Sequence, residues 1–186
     1  MKTLKLFLLL AFIYTNANAQ LDKGNWLVGG DANFSSTKNK SETFDEKFND
    51  LRINPNFGYF FIDNLSGGIQ INLVFTNSNP GNNGSKASSY GFSPFLRYYF
   101  LKTDKRINLF GEVNYSYRTG KTGSSDNINW SGYGVKAGTV LFFNSSVGLE
   151  FSINYADTTR KSDNFNTNTI FAGFGFQIHL EKNNTN

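Results

Sequence analysis

The sequence repeats one pattern eight times: a run of about ten residues in which large apolar side chains alternate with small or polar ones. In the fourth run, GFSPFLRYYF, the positions of Phe92, Leu96 and Phe100 share one face of an extended strand. The opposite face carries Ser93 and Arg97. A tilted strand crosses a bilayer in about 9 to 11 residues, with apolar positions toward lipid and polar ones toward the interior. The repeat therefore predicts an all-β fold, an eight-stranded antiparallel up-and-down transmembrane β-barrel.

The N-terminus has the three parts of an export signal. Lys2 and Lys5 precede an apolar stretch over residues 6–14, and Ala17-Asn18-Ala19 is a small-x-small cleavage site. The apolar stretch is shorter than the roughly 20 residues that a membrane-spanning helix needs. We therefore expect a signal peptide over residues 1–19 and one outer-membrane β-barrel domain over residues 20–186.

Composition excludes several classes of chemistry. The chain contains no cysteine, which rules out disulfides, thiolate metal sites, a cysteine nucleophile and a lipid-modified cysteine. The formal net charge is +4, but the cations are scattered along the chain, so we expect no nucleic-acid partner. No phosphate-binding loop or metal-ligand motif occurs, so no cofactor and no metal are expected.

The connections between the runs alternate between short and long. The predicted strands cover 26–35, 51–61, 65–75, 91–100, 109–117, 133–143, 147–155 and 170–180. The long connections are rich in Gly, Asn, Ser and Lys and cover 36–48, 77–89, 120–129 and 157–168. This asymmetry is typical of outer-membrane barrels, which have short periplasmic turns and longer extracellular loops. We expect four mobile extracellular loops.

Two prolines interrupt the alternating runs. Pro55 and Pro94 both fall inside predicted strands, where a proline cannot donate a backbone hydrogen bond to its neighbour. Hydrocarbon offers no water in compensation. We therefore predict a β-bulge at each position.

The second face of the strands carries charges of both signs. The predicted lumen charge network consists of three pairs from neighbouring strands: Asp31 with Arg52, Arg97 with Glu112, and Lys136 with Glu150. Alternatively, these charges lie on the wet surface of a soluble barrel. Gly, Ser, Asn and Gln fill most other positions of this face, which suits a crowded interior better than an open surface.

Large side chains also fall on the inward face near the short connections. An eight-stranded barrel is just wide enough for its interior to be filled by side chains. The predicted periplasmic-side lumen plug consists of Phe60, Phe95, Tyr99, Phe110 and Phe142. This favours a closed barrel over the alternative of a narrow outer-membrane channel for small solutes.

A short motif before the first strand leaves a soluble alternative open. Gly24-Asn25-Trp26 matches the G-x-W signature of lipocalin barrels, which would make the chain a secreted lipocalin-like ligand carrier. The last strand has no arginine to pack on this tryptophan. Trp26 also has a competing interpretation as an anchor at the membrane interface.

No catalytic constellation is evident, so we expect the protein not to be an enzyme. The sequence has a single histidine, His179, one residue from the end of the last strand. That position is on the periplasmic rim of the predicted topology, where a role as a rim or lumen hydrogen-bonding group is expected.

The chain resembles the small eight-stranded outer-membrane β-barrel family, the OmpA-type transmembrane domain and its OmpX-like relatives. The segments FGYFFIDNLSGGIQI, GFSPFLRYYF and VGLEFSINY carry the resemblance. It implies an integral protein of the bacterial outer membrane with a structural or surface-interaction role. The implied partners are outer-membrane lipid and lipopolysaccharide, the barrel-assembly machinery and an extracellular ligand held by the loops. Such barrels typically end in an aromatic residue, whereas here six polar residues follow Leu180, so Phe174 and Phe176 are expected to serve instead.

Overall fold

The computed structural model describes residues 21–40, 45–80, 84–103, 105–122 and 128–180. The predicted signal peptide, residues 1–19, and the polar tail, residues 181–186, lie outside the described residues. Among the described residues, no helical segment has the length and apolar character that a membrane span requires.

Eight antiparallel strands follow one another around a closed barrel, each paired with its neighbours in the sequence. Trp26–Ala32 of the first strand pair with Phe174–Leu180 of the last and close the sheet. The predicted fold class is therefore confirmed. The strands are β1 Trp26–Lys40, β2 Asp45–Ile62, β3 Leu65–Pro80, β4 Ser85–Tyr99, β5 Ile107–Thr122, β6 Ile128–Phe142, β7 Val147–Arg160 and β8 Asn166–Leu180.

The strands extend further toward the long connections than the alternating pattern predicts. In the β1–β2 ladder, pairing continues past Ser36 and Asn49 to Lys40 and Asp45. The predicted boundaries of all four long loops are therefore wrong, because much of each predicted loop is strand. The sequence of these extensions is mostly polar, so the alternation of apolar and polar residues is lost, while the backbone hydrogen bonds of the ladder continue.

The bulges predicted at Pro55 and Pro94 are not present. Pro55 pairs in register with Gly30, and Pro94 pairs in register with Ile69. On the other side of each proline two ladder positions are unpaired, and the register then resumes unchanged. The proline, which has no N–H to donate, therefore interrupts the ladder on one side of its strand, but no extra residue is inserted and no bulge forms. The register shift that does occur in β2 lies between Phe60 and Ile62.

Through the middle of the strands the exterior is apolar and the interior is mostly polar. Ile153 at the middle of β7 is 66% exposed, whereas the side chain of Arg97 on β4 is completely buried. The exterior tyrosines fall in two groups, as in the aromatic girdles of membrane barrels. Tyr59 and Tyr98 lie near the ends of their strands at the short turns. The other group lies in the strand halves that lead to the long loops: Tyr90, Tyr115, Tyr117, Tyr133 and Tyr155.

The segment before β1 lies across the short-turn end of the barrel. The Gly24 N–H donates to the Phe60 carbonyl at 2.9 Å, and the Asn64 N–H donates to the Leu21 carbonyl at 2.8 Å. Asn64 adopts the left-handed conformation, with φ of 66°, in the tight turn between β2 and β3. The Leu21 side chain is fully buried beneath the barrel. Residues 21–25 thus cover this end of the lumen.

Candidate functional site: the barrel lumen

The lumen has three layers between its short-turn end and its long-loop end. The aromatic layer lies at the short-turn end and consists of Phe60, Tyr99, Phe110, Phe142 and His179. The ionic cluster lies above it and consists of Asp31, Arg97, Glu112, Lys136 and Glu150. The vestibule is a polar cavity of about 320 Å³ that continues toward the long loops.

Rings in the aromatic layer contact one another across the lumen. The ring centroids of Phe60 and Tyr99 are 6.0 Å apart, and those of Tyr99 and Phe110 are also 6.0 Å apart. The His179 ring lies 5.3 Å from Phe142 and 5.7 Å from Phe60. All five side chains are at most 1% exposed. Of the two positions expected for His179, the rim or the lumen, its ring takes the one inside the lumen.

Phe95 is buried beside this layer. It belongs to the same buried apolar cluster as Phe60, Tyr99, Phe110 and Phe142. It precedes Arg97 on β4 by two residues, and its ring lies 6.0 Å from the Arg97 guanidinium. Its place in a periplasmic-side plug stays a prediction.

Arg97 is the centre of the ionic cluster. Its guanidinium contacts Glu112 of the neighbouring strand at 2.7 Å and Glu150 across the lumen at 2.7 Å. Lys136 contacts Asp31 at 2.6 Å and lies 3.7 Å from Glu112 and 3.9 Å from Glu150. These side chains are at most 3% exposed. Charges buried this deeply are stable only when they are paired and hydrogen-bonded.

Arg52 does not pair with Asp31 as predicted. Across the β1–β2 ladder Asp31 lies opposite Asn54, whose amide donates to its carboxylate at 2.8 Å, and Lys136 occupies the other carboxylate oxygen. Arg52 lies opposite Asn33, one inward position closer to the long loops. Its guanidinium stacks over the Phe171 ring at 5.0 Å. Arg52 therefore belongs to the vestibule.

The vestibule contains the functional residues that the sequence interpretation missed. Its walls include Asp50, Arg118, Lys121 and Trp130, together with Arg52 and several Ser and Thr side chains. Arg118 lies one residue beyond the predicted end of the fifth strand, and Trp130 lies before the predicted start of the sixth. Recognising that the strands continue past the alternating segment would have placed these side chains inside the barrel.

Trp26 lies on the outside of the barrel and does not take the interior position of a lipocalin tryptophan. Its ring stacks on Phe57 at a centroid distance of 4.8 Å and meets Tyr59 at 4.9 Å. The apolar face of the sheet is likewise outside. A soluble lipocalin-like carrier is therefore not favoured.

Comparison with known proteins agrees with this geometry. The chain is similar in fold to the outer membrane protein OprG from Pseudomonas aeruginosa, with 14% identity and a TM-score of 0.59 over 87% of this chain and 98% of that chain. Neisserial surface protein A, NspA, has 15% identity and a TM-score of 0.50 over 86% and 98% of the two chains. No curated protein sequence matches the chain.

A family model identifies the chain more directly. The model of the outer membrane protein beta-barrel domain matches residues 6–177, nearly the whole sequence. Its match agrees with the closed antiparallel barrel, the apolar exterior and the polar lumen. The chain belongs to the outer membrane protein beta-barrel domain family and is an integral protein of the Gram-negative outer membrane.

Proposed function

We propose that this protein is a closed outer-membrane barrel with a structural or surface-interaction role. The short-turn end faces the periplasm and the long loops face the outside, as in other barrels of this compartment. The aromatic layer acts as a periplasmic-side plug, and the ionic cluster acts as a lumen charge network above it. The observation that carries the proposal is the burial of these side chains across the lumen.

The charges of the ionic cluster favour a closed lumen over a narrow channel for small solutes. A solute passing through would have to separate Arg97 from Glu112 or Glu150, which face it from β5 and β7. Separating these partners leaves each charge buried without its opposite charge and costs on the order of 3–5 kcal/mol. Beneath the cluster the aromatic layer and Leu21 leave no wide path through the described residues.

Planar-bilayer recording tests the closed lumen. Protein refolded in detergent and inserted into a bilayer is expected to give no steady openings, because the aromatic layer and the ionic cluster fill the lumen. A porin added to the same bilayer provides the control that openings are detectable. Steady unit conductance from the protein alone would support the channel and contradict the closed barrel.

We propose no enzymatic activity, because the single histidine is enclosed in the aromatic layer, where it contacts Phe60 and Phe142 and faces no lipid. We also propose removal of residues 1–19, insertion by the barrel-assembly machinery, contact with lipopolysaccharide outside and ligand binding through the loops. The aromatic positions Phe174 and Phe176 on β8, both facing outward, are available to the assembly machinery.

A further inference from the structure

Two arginines in the vestibule have no acidic partner. Arg52 and Arg118 both line the cavity, and neither forms an ion pair with any residue that the structure describes. The Arg52 Nε is buried and has no hydrogen-bond partner among those residues. The two positive charges also act unfavourably on each other. Both arginines are half-buried in the cavity wall. Guanidinium groups that are shielded from water normally satisfy their donors with carboxylate or phosphate oxygens.

Aromatic rings hold both guanidinium groups in place. The Arg52 guanidinium carbon lies 5.0 Å from the Phe171 ring, and that of Arg118 lies 5.9 Å from the Trp130 ring. Stacking of this kind fixes the plane of a guanidinium while leaving its N–H groups available. Both arginines are therefore positioned before a ligand arrives, which lowers the entropic cost of binding.

The charge balance of the lumen changes along its length. The ionic cluster contains three carboxylates and two cations, so it has one negative charge in excess. Among the described residues, the walls above it add Arg52, Arg118 and Lys121 against the carboxylate of Asp50, which accepts a hydrogen bond from Thr76 at 2.6 Å. Asp31 also lines the cavity, but it is paired with Lys136. The cavity is thus positive, polar and open enough for a small solute.

We propose that the vestibule binds a small solute through a compact oxyanion, a phosphate or a carboxylate, held between Arg52 and Arg118. Charge-assisted hydrogen bonds from two guanidinium groups recognise such a group by geometry as well as by charge. The ionic cluster forms the floor of the site and stops the solute from passing further. Lys121 lies higher on the wall and increases the local concentration of anions.

Tryptophan fluorescence tests this site. The chain has two tryptophans, and Trp26→Phe leaves Trp130, beside Arg118, as the reporter. In detergent-refolded protein we expect a saturable fluorescence change with inorganic phosphate, with succinate or with both, and none with chloride at equal ionic strength. The anion with the lower apparent Kd, phosphate or succinate, identifies whether the solute carries a phosphate or a carboxylate.

Three variants decide whether the arginines are responsible. Arg52→Gln and Arg118→Gln should each raise the apparent Kd about ten-fold or more, because each removes a charge-assisted contact. Arg106→Gln is the matched control, since Arg106 is exposed at the short-turn end before β5 and is not among the vestibule walls, and it should bind as the parent does. Gel mobility of unheated samples verifies that each variant is folded. No saturable change with either anion, or unchanged binding in both vestibule variants, would overturn the site.

The fluorescence titration measures binding in refolded protein and does not depend on whether the lumen conducts. A conducting lumen would therefore contradict the closed barrel of the proposed function and leave this site in place. Conversely, a failed titration with a silent bilayer would remove the site and leave the closed barrel in place.

Discussion

Replacing Arg97 by methionine is expected to destabilise the folded barrel by about 3–5 kcal/mol. The substitution keeps a long side chain but leaves Glu112 and Glu150 buried without the guanidinium that contacts both at 2.7 Å. Lys136 alone is 3.7 Å and 3.9 Å from these carboxylates and cannot replace it. Urea unfolding of protein refolded into lipid vesicles, followed by gel mobility, measures the loss.

The control for this prediction is Arg160→Met. Arg160 also forms an ion pair, at 3.2 Å with Asp163, but the two side chains are 34% and 51% exposed. Exposed pairs contribute about 0–1 kcal/mol, so this variant should unfold close to the parent. A further variant joins Arg97→Met with Glu112→Gln and Glu150→Gln. It should recover part of the lost stability, because it removes the unpaired charges as well. Equal stability of the Arg97 and Arg160 variants would show that the ionic cluster is not buried.

A lysine placed on the outside of the barrel at mid-height is expected to lower the stability of the folded barrel in a bilayer. Ile153 lies at the middle of β7 and is 66% exposed, in contact with lipid in our account. Ile153→Lys should destabilise the barrel by about 2–4 kcal/mol in a bilayer, because a charge at the midplane loses its hydration. The same urea titration in vesicles measures this effect.

Ile107→Lys provides the matched comparison. Ile107 is the first residue of β5, at the short-turn end, and its side chain is 53% exposed. A lysine there reaches the interface, so the expected cost is about 0–1 kcal/mol. If both substitutions cost the same, the middle of β7 does not lie in the hydrocarbon core.

Much of the fold could be predicted from the alternation of apolar and polar residues along the sequence. Alternation along GFSPFLRYYF placed Arg97 inside and Leu96 outside, which the structure confirms with a buried arginine and an exposed leucine. Where two charged residues face each other directly across a ladder, as Arg97 and Glu112 do, their pairing also followed from the order of the strands.

Contacts across the lumen could not be predicted in the same way. Lys136 of β6 reaches Asp31 of β1, although β7 and β8 lie between these strands in the sheet. Such a contact depends on the stagger of all eight strands, which no local pattern encodes. The register of the β1–β2 ladder likewise sets Asp31 opposite Asn54 rather than Arg52.

The vestibule was missed for another reason. Beyond Tyr117 on β5 and before Tyr133 on β6 most residues are polar, and Trp130 stands among them without a sustained alternation, so the sequence indicates a loop. Nevertheless, the backbone ladder between β5 and β6 continues here, with Arg118 paired opposite Trp130. A polar strand surrounded by water on its outer face and by a wet cavity on its inner face has no hydrophobic periodicity to detect.

The orientation of the sheet, with its apolar face toward lipid and its polar face around the lumen, can be measured directly with spin labels. Because the chain has no cysteine, single cysteines at Val113 and Ser116 of β5 can carry nitroxide labels without interference. Val113 is 54% exposed on the outside, and Ser116 lines the vestibule. In vesicles the label at Val113 should collide with oxygen and be shielded from a water-soluble nickel chelate, while the label at Ser116 should show the reverse. The opposite pattern at these two positions would contradict the account.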